Sequence, residues 1–566
     1  MSGQRSGLIS LRIRPALLSV LKAGYSRAFL TRDICAGLTV GVVALPLAMA
    51  FAIASGATPE SGLFTAIVAG AIISLFGGSR YQIGGPTGAF VVIIAGVIAR
   101  HGYEGLVVAT LMAGFFLMLM GFFRLGKVLQ FIPYPVTTGF TAGIGLYILV
   151  SQFKDFLGLQ IGAQSPEFLE KLHSCWQGIG TMQHGAVITG GVTIGAMVLV
   201  RRFCPRIPAH IVGIFSSMLV VWLAGLEVET IGSRFGGIPA ALPSFAMPHD
   251  FFGLAAKVLP DAFAIALLAG IESLLSAVVA DGMTGERHEP STELVAQGLA
   301  NIASGLFGGI PATGAIARTA TNIRAGAASP VAGIIHAVTL AAFMLFLAPV
   351  ASLIPLASLA GVLCIVAWDM SEIHKFARLL RAPRSDVLVL VTTFLLTVLV
   401  DLTVAVQVGV VLAALLFMRR MSEVSNLRLG VAGNGNGELS NDSRIACASS
   451  EYCPGEVMIY EVDGPFFFGI AERFLSVLHV LREPPKVIVI RMDHVPTVDA
   501  TGIHALETFV VHAGRKNIQL VVCGLQPRVR FVLEKLGTLN KLGEGNVLET
   551  LPEAMQRADN LALSAG

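Results

Sequence analysis

Charge is scarce in this chain: Asp, Glu, Lys and Arg make up 13% of 566 residues, against 54% hydrophobic residues. That balance excludes an ordinary soluble protein, and the length excludes one compact core. HExxH, GxSxG and carboxylate pairs at catalytic spacing are all missing, which removes the usual membrane-enzyme chemistries. The stretch Gly121 to Lys127 matches GxxxxGK, but Val128 follows it and the segment leaves an apolar helix, so it is a false P-loop. Seven cysteines are scattered along the chain. Cys35, Cys175, Cys204 and Cys364 sit in or near apolar runs as small core hydrophobes, and Cys447 with Cys453 lacks the second pair that zinc requires. No disulfide framework, metal, cofactor or nucleic-acid partner is expected. The N-terminus lacks an h-region and a small-residue cleavage site, so it reads as an amphipathic lead-in.

What is present is long apolar sequence. From Ile34 to Met418, runs of about 20 apolar residues recur with little between them, enough for about 12 to 14 membrane helices. Basic residues cluster in alternate loops when the N-terminus is placed in the cytoplasm. Arg80, Arg124 with Lys127, Arg201 with Arg202 and Arg206, Arg287, Arg324, the group Lys375, Arg378, Arg381 and Arg384, and Arg419 with Arg420 then all fall inside. An even number of spans returns the C-terminus to the same side. The organisation expected is a lead-in over 1–30, a transmembrane domain over 31–420, a polar linker over 421–455 and a small α/β domain over 456–560. In the last, strands are predicted at Val457–Val462, Val487–Arg491 and Leu520–Cys523, and helices at Ala471–Leu481, Thr501–Ala513 and Arg528–Leu536.

Two apolar segments are short, and each is entered through glycine and proline. One reads Gly84, Gly85, Pro86, Thr87, Gly88, Ala89; the other reads Gly308, Gly309, Ile310, Pro311, Ala312, Thr313, Gly314, Ala315. Thr-Gly-Ala occurs in both. Pro46 precedes Thr87 by 87 − 46 = 41 positions, and Glu272 precedes Thr313 by 313 − 272 = 41. The shared register implies an internal repeat, and seven spans per half would invert the second copy. The fold expected is an all-α polytopic domain of about 14 spans in two inverted seven-span repeats, followed by the α/β domain.

Half-length helices starting at membrane depth leave N–H groups aimed at whatever lies ahead. Two such starts facing each other make an anion site; ordinary proline-capped helices with glycine for packing are the plainer reading. Glu272 lies in the apolar run Ala262 to Val279 with only serines for polar company, so it is expected to be protonated, paired or water-lined, and able to carry a proton. Arg318, five residues after Thr313, can lie behind the anion site, pair with Glu272, or reach for the interface as a loop arginine. Gly37 with Gly41, Gly139 with Gly143, and Gly191 with Gly195 are GxxxG pairs suited to close helix packing. His210 and His336 read as packed or capping residues.

Several of these motifs together resemble the SulP family of anion permeases with a C-terminal STAS domain. They are Ala-Leu-Pro-Leu-Ala-Met-Ala-Phe-Ala at 44–52, Gly-Gly-Pro-Thr-Gly-Ala-Phe at 84–90, Gly-Ile-Glu-Ser-Leu-Leu at 270–275, Ala-Ile-Ala-Arg-Thr-Ala-Thr-Asn at 315–322 and Val-Asp-Ala-Thr-Gly at 498–502. The resemblance implies a core bundle moving against a gate bundle, with substrate between the starts of spans 3 and 10. Carried onto this chain, the substrate site is Phe51, Thr87, Gly88, Ala89, Phe90, Thr313, Gly314, Ala315 and Arg318, with Glu272 as the proton-coupling acid. Many members have Pro-Gln-Gly where this chain has Pro46, Leu47 and Ala48. The segment looks more like the enterobacterial C4-dicarboxylate branch, which puts succinate-like dicarboxylates first and sulfate or bicarbonate as the alternative. An uncoupled channel and a membrane-anchored signalling scaffold are the other readings. Asp499 and Thr501 mark the regulatory loop of the STAS domain, with Thr501 either a helix cap or a phosphosite. The partners expected are a small anion, protons, the lipid bilayer, a second copy in a homodimer and a cytoplasmic protein on the STAS domain; the location expected is the bacterial inner membrane, with both termini cytoplasmic.

Overall fold

The structure, a computed structural model, describes residues 14–126, 133–162, 165, 167–204, 207–400, 402–424, 426–431, 457–467, 474 and 485–564. Two compact units are present, Met1–Val411 and Leu412–Gly566. The lead-in before residue 14, Lys127 of the false P-loop, Arg206, Cys447 with Cys453, and the predicted helix Ala471–Leu481 apart from Phe474 lie outside the described residues.

The first unit is helical. Its helices are α1 (Ala16–Ala23), α2 (Arg27–Ala54), α3 (Pro59–Phe76), then strand β1 (Gly84–Gly85), α4 (Phe90–Phe122), α5 (Tyr134–Ser151), α6 (Phe153–Leu157), α7 (Phe168–Gln177), α8 (His184–Phe203), α9 (Ala209–Ala224), α10 (Ile231–Phe235), α11 (Phe251–Thr284) and α12 (Pro290–Leu306). Strand β2 (Thr313–Gly314) follows, then α13 (Ile316–Arg324), α14 (Val331–Ser352), α15 (Leu356–Ser371), α16 (Ile373–Leu379), α17 (Arg384–Leu399) and α18 (Leu402–Val424). Among the described residues, eight helices are long and apolar enough to cross a membrane, and α9 is a shorter apolar one. Helix α4 is broken at Gly102, whose φ of 68° and ψ of −178° are non-helical. Counting α4 twice, and α2, α3, α5, α8, α9, α11, α12, α13, α14, α15, α17 and α18 once each, gives the fourteen expected spans.

Packing repeats between the halves. Helix α2 packs on α14 as α11 packs on α4, α3 packs on α14 as α12 packs on α4, and α5 packs on α17 as α15 packs on α8. Each of α2 and α11 also carries an aspartate in its first half. Asp33 on α2 accepts from the Ala328 and Ser329 amides before α14 at 2.7 and 3.0 Å. Asp261 on α11 accepts from Arg100 Nη2 at 2.6 Å beside the break in α4. Asp33 replaces the water that a loop entering a helix would otherwise need, while Asp261 makes an ion pair with Arg100.

Lipid offers no hydrophobic drive between helices, so close backbone approach through small residues holds the bundle. A Cβ on Gly114 would lie 2.6 Å from Gly298 O, and one on Gly298 would lie 2.6 Å from Gly114 O, where α4 crosses α12. Gly37 and Gly41 sit against Ala332 and Thr339 of α14, and Gly139 and Gly143 against Leu390 and Thr397 of α17. The third GxxxG expectation is corrected. Gly191 and Gly195 have nothing within 4 Å, and it is Gly190 that packs, against Phe156.

In the second unit, strands β3 (Asn426–Val431), β4 (Val457–Asp463), β5 (Val487–His494), β6 (Gln519–Cys523) and β7 (Val547–Leu548) form one sheet in that order. β3 is antiparallel to β4; β4 to β7 are parallel. Helices α19 (Ala500–Arg515), α20 (Pro527–Lys535), α21 (Thr538–Leu542) and α22 (Leu551–Ser564) accompany it. One face buries Tyr460, Phe474 and Phe509, with Tyr460 and Phe474 stacked at 5.0 Å, and the other packs Ala554, Ala558 and Ala562 of α22. Strand β3 occupies residues assigned above to the linker; its pairing with β4 gives a polar stretch the backbone partners that composition alone does not reveal.

The glycine contacts give a stability test. Gly114→Val should lower stability in detergent by about 2 kcal/mol or more through overpacking against α12, read as a fall in Tm, while Gly191→Ala should leave Tm within a degree or so of the parent. Equal effects would refute the assignment of the packing faces.

Candidate functional site

The site begins where two helices fail to start on time. After α3 the chain turns at Gly77 and Gly78, runs extended through Gly84 and Gly85, passes Pro86 and becomes helical only at Phe90. After α12 it turns at Gly308 (φ 71°), passes Pro311 and becomes helical at Ile316. Irregular backbone inside a bilayer survives only if protein satisfies it. Here the two extended pieces satisfy each other: β1 and β2 pair antiparallel, with Gly84 opposite Gly314 and Gly85 opposite Thr313. The Ala315 amide adds a bond to Ile83 O at 2.8 Å. Both Thr-Gly-Ala motifs therefore flank one junction.

Helix α11 ties down both starts. Thr313 Oγ1 donates to Ala269 O at 2.9 Å, and Thr87 Oγ1 donates to Glu272 Oε2 at 2.8 Å, one turn further along. Thr313 is fully buried, whereas Thr87 and Glu272 are half-buried and carry the accessible polar surface of the junction. Glu272 thus has the Thr87 hydroxyl as its partner, the neighbouring Ser273 and Ser276 bonding elsewhere, and its carboxylate makes no ion pair with Arg318. Arg318, 3% exposed, instead donates from Nη2 to Pro86 O. It reaches that carbonyl because residue 85 is glycine: a Cβ there would overlap Nη1. Of the three positions open to Arg318, the structure has it behind the junction.

Phe51 and Phe90 are buried, as are Gly88, Ala89, Gly314 and Ala315. A Cβ on Gly88 would lie 2.8 Å from Met370 Sδ, 3.1 Å from Ile148 Cδ1 and 3.2 Å from Phe51 Cε1. Gly88 therefore faces α2, α5 and α15, and the nine expected substrate residues and Glu272 fall in one region. On the opposite side, a Cβ on Gly314 would overlap Gln82, whose Nε2 donates to Ser273 Oγ at 2.9 Å.

Glu293 was not among the expected residues. It is wholly buried on α12, and its oxygens accept from the Gly78 and Ser79 amides at 2.9 and 3.2 Å, from Gln297 Nε2 at 2.9 Å and from Ser273 Oγ at 3.3 Å. It anchors the turn that leads into β1. Standing three residues after Pro290, it looks in sequence like a routine first-turn acid. In the second unit the helix cap is Asp499, whose Oδ1 accepts from the Gly502 amide at 2.7 Å, while Thr501 is exposed within the first turn of α19; Thr501 is not the cap.

No group of three or more His, Cys, Asp or Glu suited to a metal occurs among the described residues. A separate cavity of about 350 Å³ beside α6 and α10, lined by Lys154, Asp155, Gln183, Glu229 and Arg234 among others, includes none of the junction residues.

The sulfate permease family model matches residues 30–393, and the STAS domain model matches 451–554. The chain belongs to the sulfate permease family. It is a multi-pass membrane protein of an anion-transporter family, not an enzyme. The putative sulfate transporter YvdB of Bacillus subtilis is 42% identical over 523 residues, covering 92% of this chain and 96% of that one. The bicarbonate transporter BicA of Picosynechococcus is 32% identical over 542 residues, covering 93% and 94%. The murine anion transporter Slc26a9 in its inward-facing state superposes with a TM-score of 0.86 at 17% identity, over 99% of this chain and 96% of that one, a likeness of fold. The transmembrane domain of a cyanobacterial BicA superposes at 0.60 with 32% identity, over 68% of this chain and 98% of that one. The dicarboxylate preference read from Leu47 and Ala48 gains nothing from these relatives; the sulfate or bicarbonate alternative does.

The close walls around Gly88 predict that Gly88→Val cuts oxyanion uptake at least ten-fold in proteoliposomes while purified protein keeps its elution profile. Uptake at the parental rate would remove the Gly88 face from the site.

Proposed function

We propose that the protein is a proton-coupled transporter of a small inorganic oxyanion, sulfate or bicarbonate, bound at the junction of the two half-helices. The observation that carries this is the Thr87–Glu272 hydrogen bond beside the β1–β2 pair, which puts an acid at the mouth of a positive site. Each helix start contributes about half a positive charge, and Arg318 a full one. Their sum of about two is opposed by about one when Glu272 is ionised. At an effective dielectric of about 20, one unit charge at about 4 Å is worth about 4 kcal/mol. Protonating Glu272 removes a repulsion of that order against the bound anion, so proton and anion favour each other's binding. Thr87 bonds to either form of the acid, accepting from it when protonated and donating when ionised.

Movement follows from the packing. Helices α2, α3, α4 and α11 to α14 make one group, α5, α8, α9, α15 and α17 another. The junction belongs to the first, and Gly88 faces Ile148 and Met370 of the second. Sliding of the first group past the second carries the site across the membrane, an elevator cycle. The bacterial inner membrane, cytoplasmic termini, divisions near 30 and 420, a homodimer, and a STAS domain that binds a cytoplasmic regulator through the Asp499–Thr501 segment belong to the same reading, supported by the loop charges and the resemblance.

The test is uptake into proteoliposomes under an inward proton gradient, with sulfate, bicarbonate and succinate competing against a labelled oxyanion. Wild type should accumulate oxyanion, with succinate the weakest competitor, and Glu272→Gln should lose acceleration by the gradient while still exchanging anion. Gradient-driven uptake unchanged in Glu272→Gln would reject the coupling role, and current reversing at the anion's Nernst potential without proton movement would select uncoupled passage.

A further inference from the structure

His336 on α14 is fully buried, and neither ring nitrogen has a hydrogen-bond partner among the described residues. Arg318 Nη1 is buried and without a partner in the same sense. These groups border one crevice. A Cβ on Gly70 of α3 would lie 3.6 Å from His336 Nδ1 and Cε1 and 3.2 Å from Gly84 O. A Cβ on Gly85 would overlap Arg318 Nη1 and lie 3.4 Å from Ala66 Cα. Ala66 and Gly70 are one helical turn apart on α3, and Gly84 and Gly85 are consecutive in β1. The imidazole and the guanidinium therefore lie along the same seam between α3 and β1.

We propose that His336 is a positioning residue for the anion site: a neutral imidazole nitrogen accepts from Arg318 Nη1 through one bridging water and fixes the guanidinium that holds Pro86 O. The chemistry suits the place. A buried guanidinium needs acceptors for its N–H groups, and leaving them unmade is costly. A carboxylate acceptor would cancel the charge that draws the anion. A neutral imidazole supplies a lone pair and leaves the charge in place. Because Arg318 Nη2 holds the Pro86 carbonyl, the orientation of the guanidinium sets the backbone leading into Thr87 and Gly88.

The inference rests on the anion-transport reading above, and its test separates the two. Oxyanion uptake by full-length protein in proteoliposomes is measured for wild type, His336→Leu and His336→Gln; wild type without uptake would reject that reading, whatever the variants do. His336→Leu should raise KM about ten-fold, the scale of one lost hydrogen bond to a charged group, with Vmax within about two-fold. His336→Gln, which keeps a neutral acceptor, should return KM to within about three-fold of wild type. In an Arg318→Ala background the leucine change should add nothing. If His336→Leu does not fold, His336→Met serves as the apolar variant. Equal KM for the glutamine and apolar variants, or an undiminished effect in the Arg318→Ala background, would overturn the proposal.

Discussion

A helix broken in the middle of a bilayer must find partners for its freed amides and carbonyls within the protein, since lipid supplies none. This chain breaks two helices and lets each break complete the other. The pairing of Gly84 with Gly314 and of Gly85 with Thr313 is two residues long, yet the rest of the site depends on it. It fixes the register of the two segments that lead into α4 and α13. Glycine is required at position 85 because Arg318 passes where its side chain would be.

Around that junction the buried polar groups have separate tasks. Glu293 accepts four hydrogen bonds and anchors the turn before β1, and Asp33 does similar work for the turn before α14. Glu272 is different: it has one hydroxyl partner and remains half-buried. A carboxylate with four donors is fixed in place, whereas one whose single partner is a hydroxyl, able to donate or accept, is left free to exchange that bond. The coupling role proposed for Glu272 thus falls on an acid with a single hydroxyl partner, in the same unit as acids held by several donors.

Much of this is legible in sequence. Repetition of Thr-Gly-Ala behind a proline, with 41 residues back to Pro46 and to Glu272, marks the two half-helices and their internal symmetry. What is not legible depends on contacts across hundreds of residues. Two-residue strands carry no periodic signal, so a Gly-Gly doublet reads as a hinge. Nothing local to Arg318 says that it will reach Pro86 and not Glu272. Glu293 hides in the first turn of an ordinary proline-led helix, and Gly190 differs from Gly191 only in which face meets Phe156. Asp499 takes the capping role because it directly precedes the helix, whereas Thr501 is already inside it. Substrate choice is the least legible: the dicarboxylate reading of Leu47 and Ala48 rests on a few side chains of one span and finds no counterpart in relatives named as sulfate and bicarbonate transporters.

The most direct measurement is an experimental density map of the full-length protein in lipid nanodiscs, at a resolution that shows single oxyanions, with the transported anion present. The account requires anion density between residues 87–89 and 313–315, within hydrogen-bond reach of both helix starts. Density lodged elsewhere, or α4 and α13 continuing unbroken through the positions of β1 and β2, would contradict it.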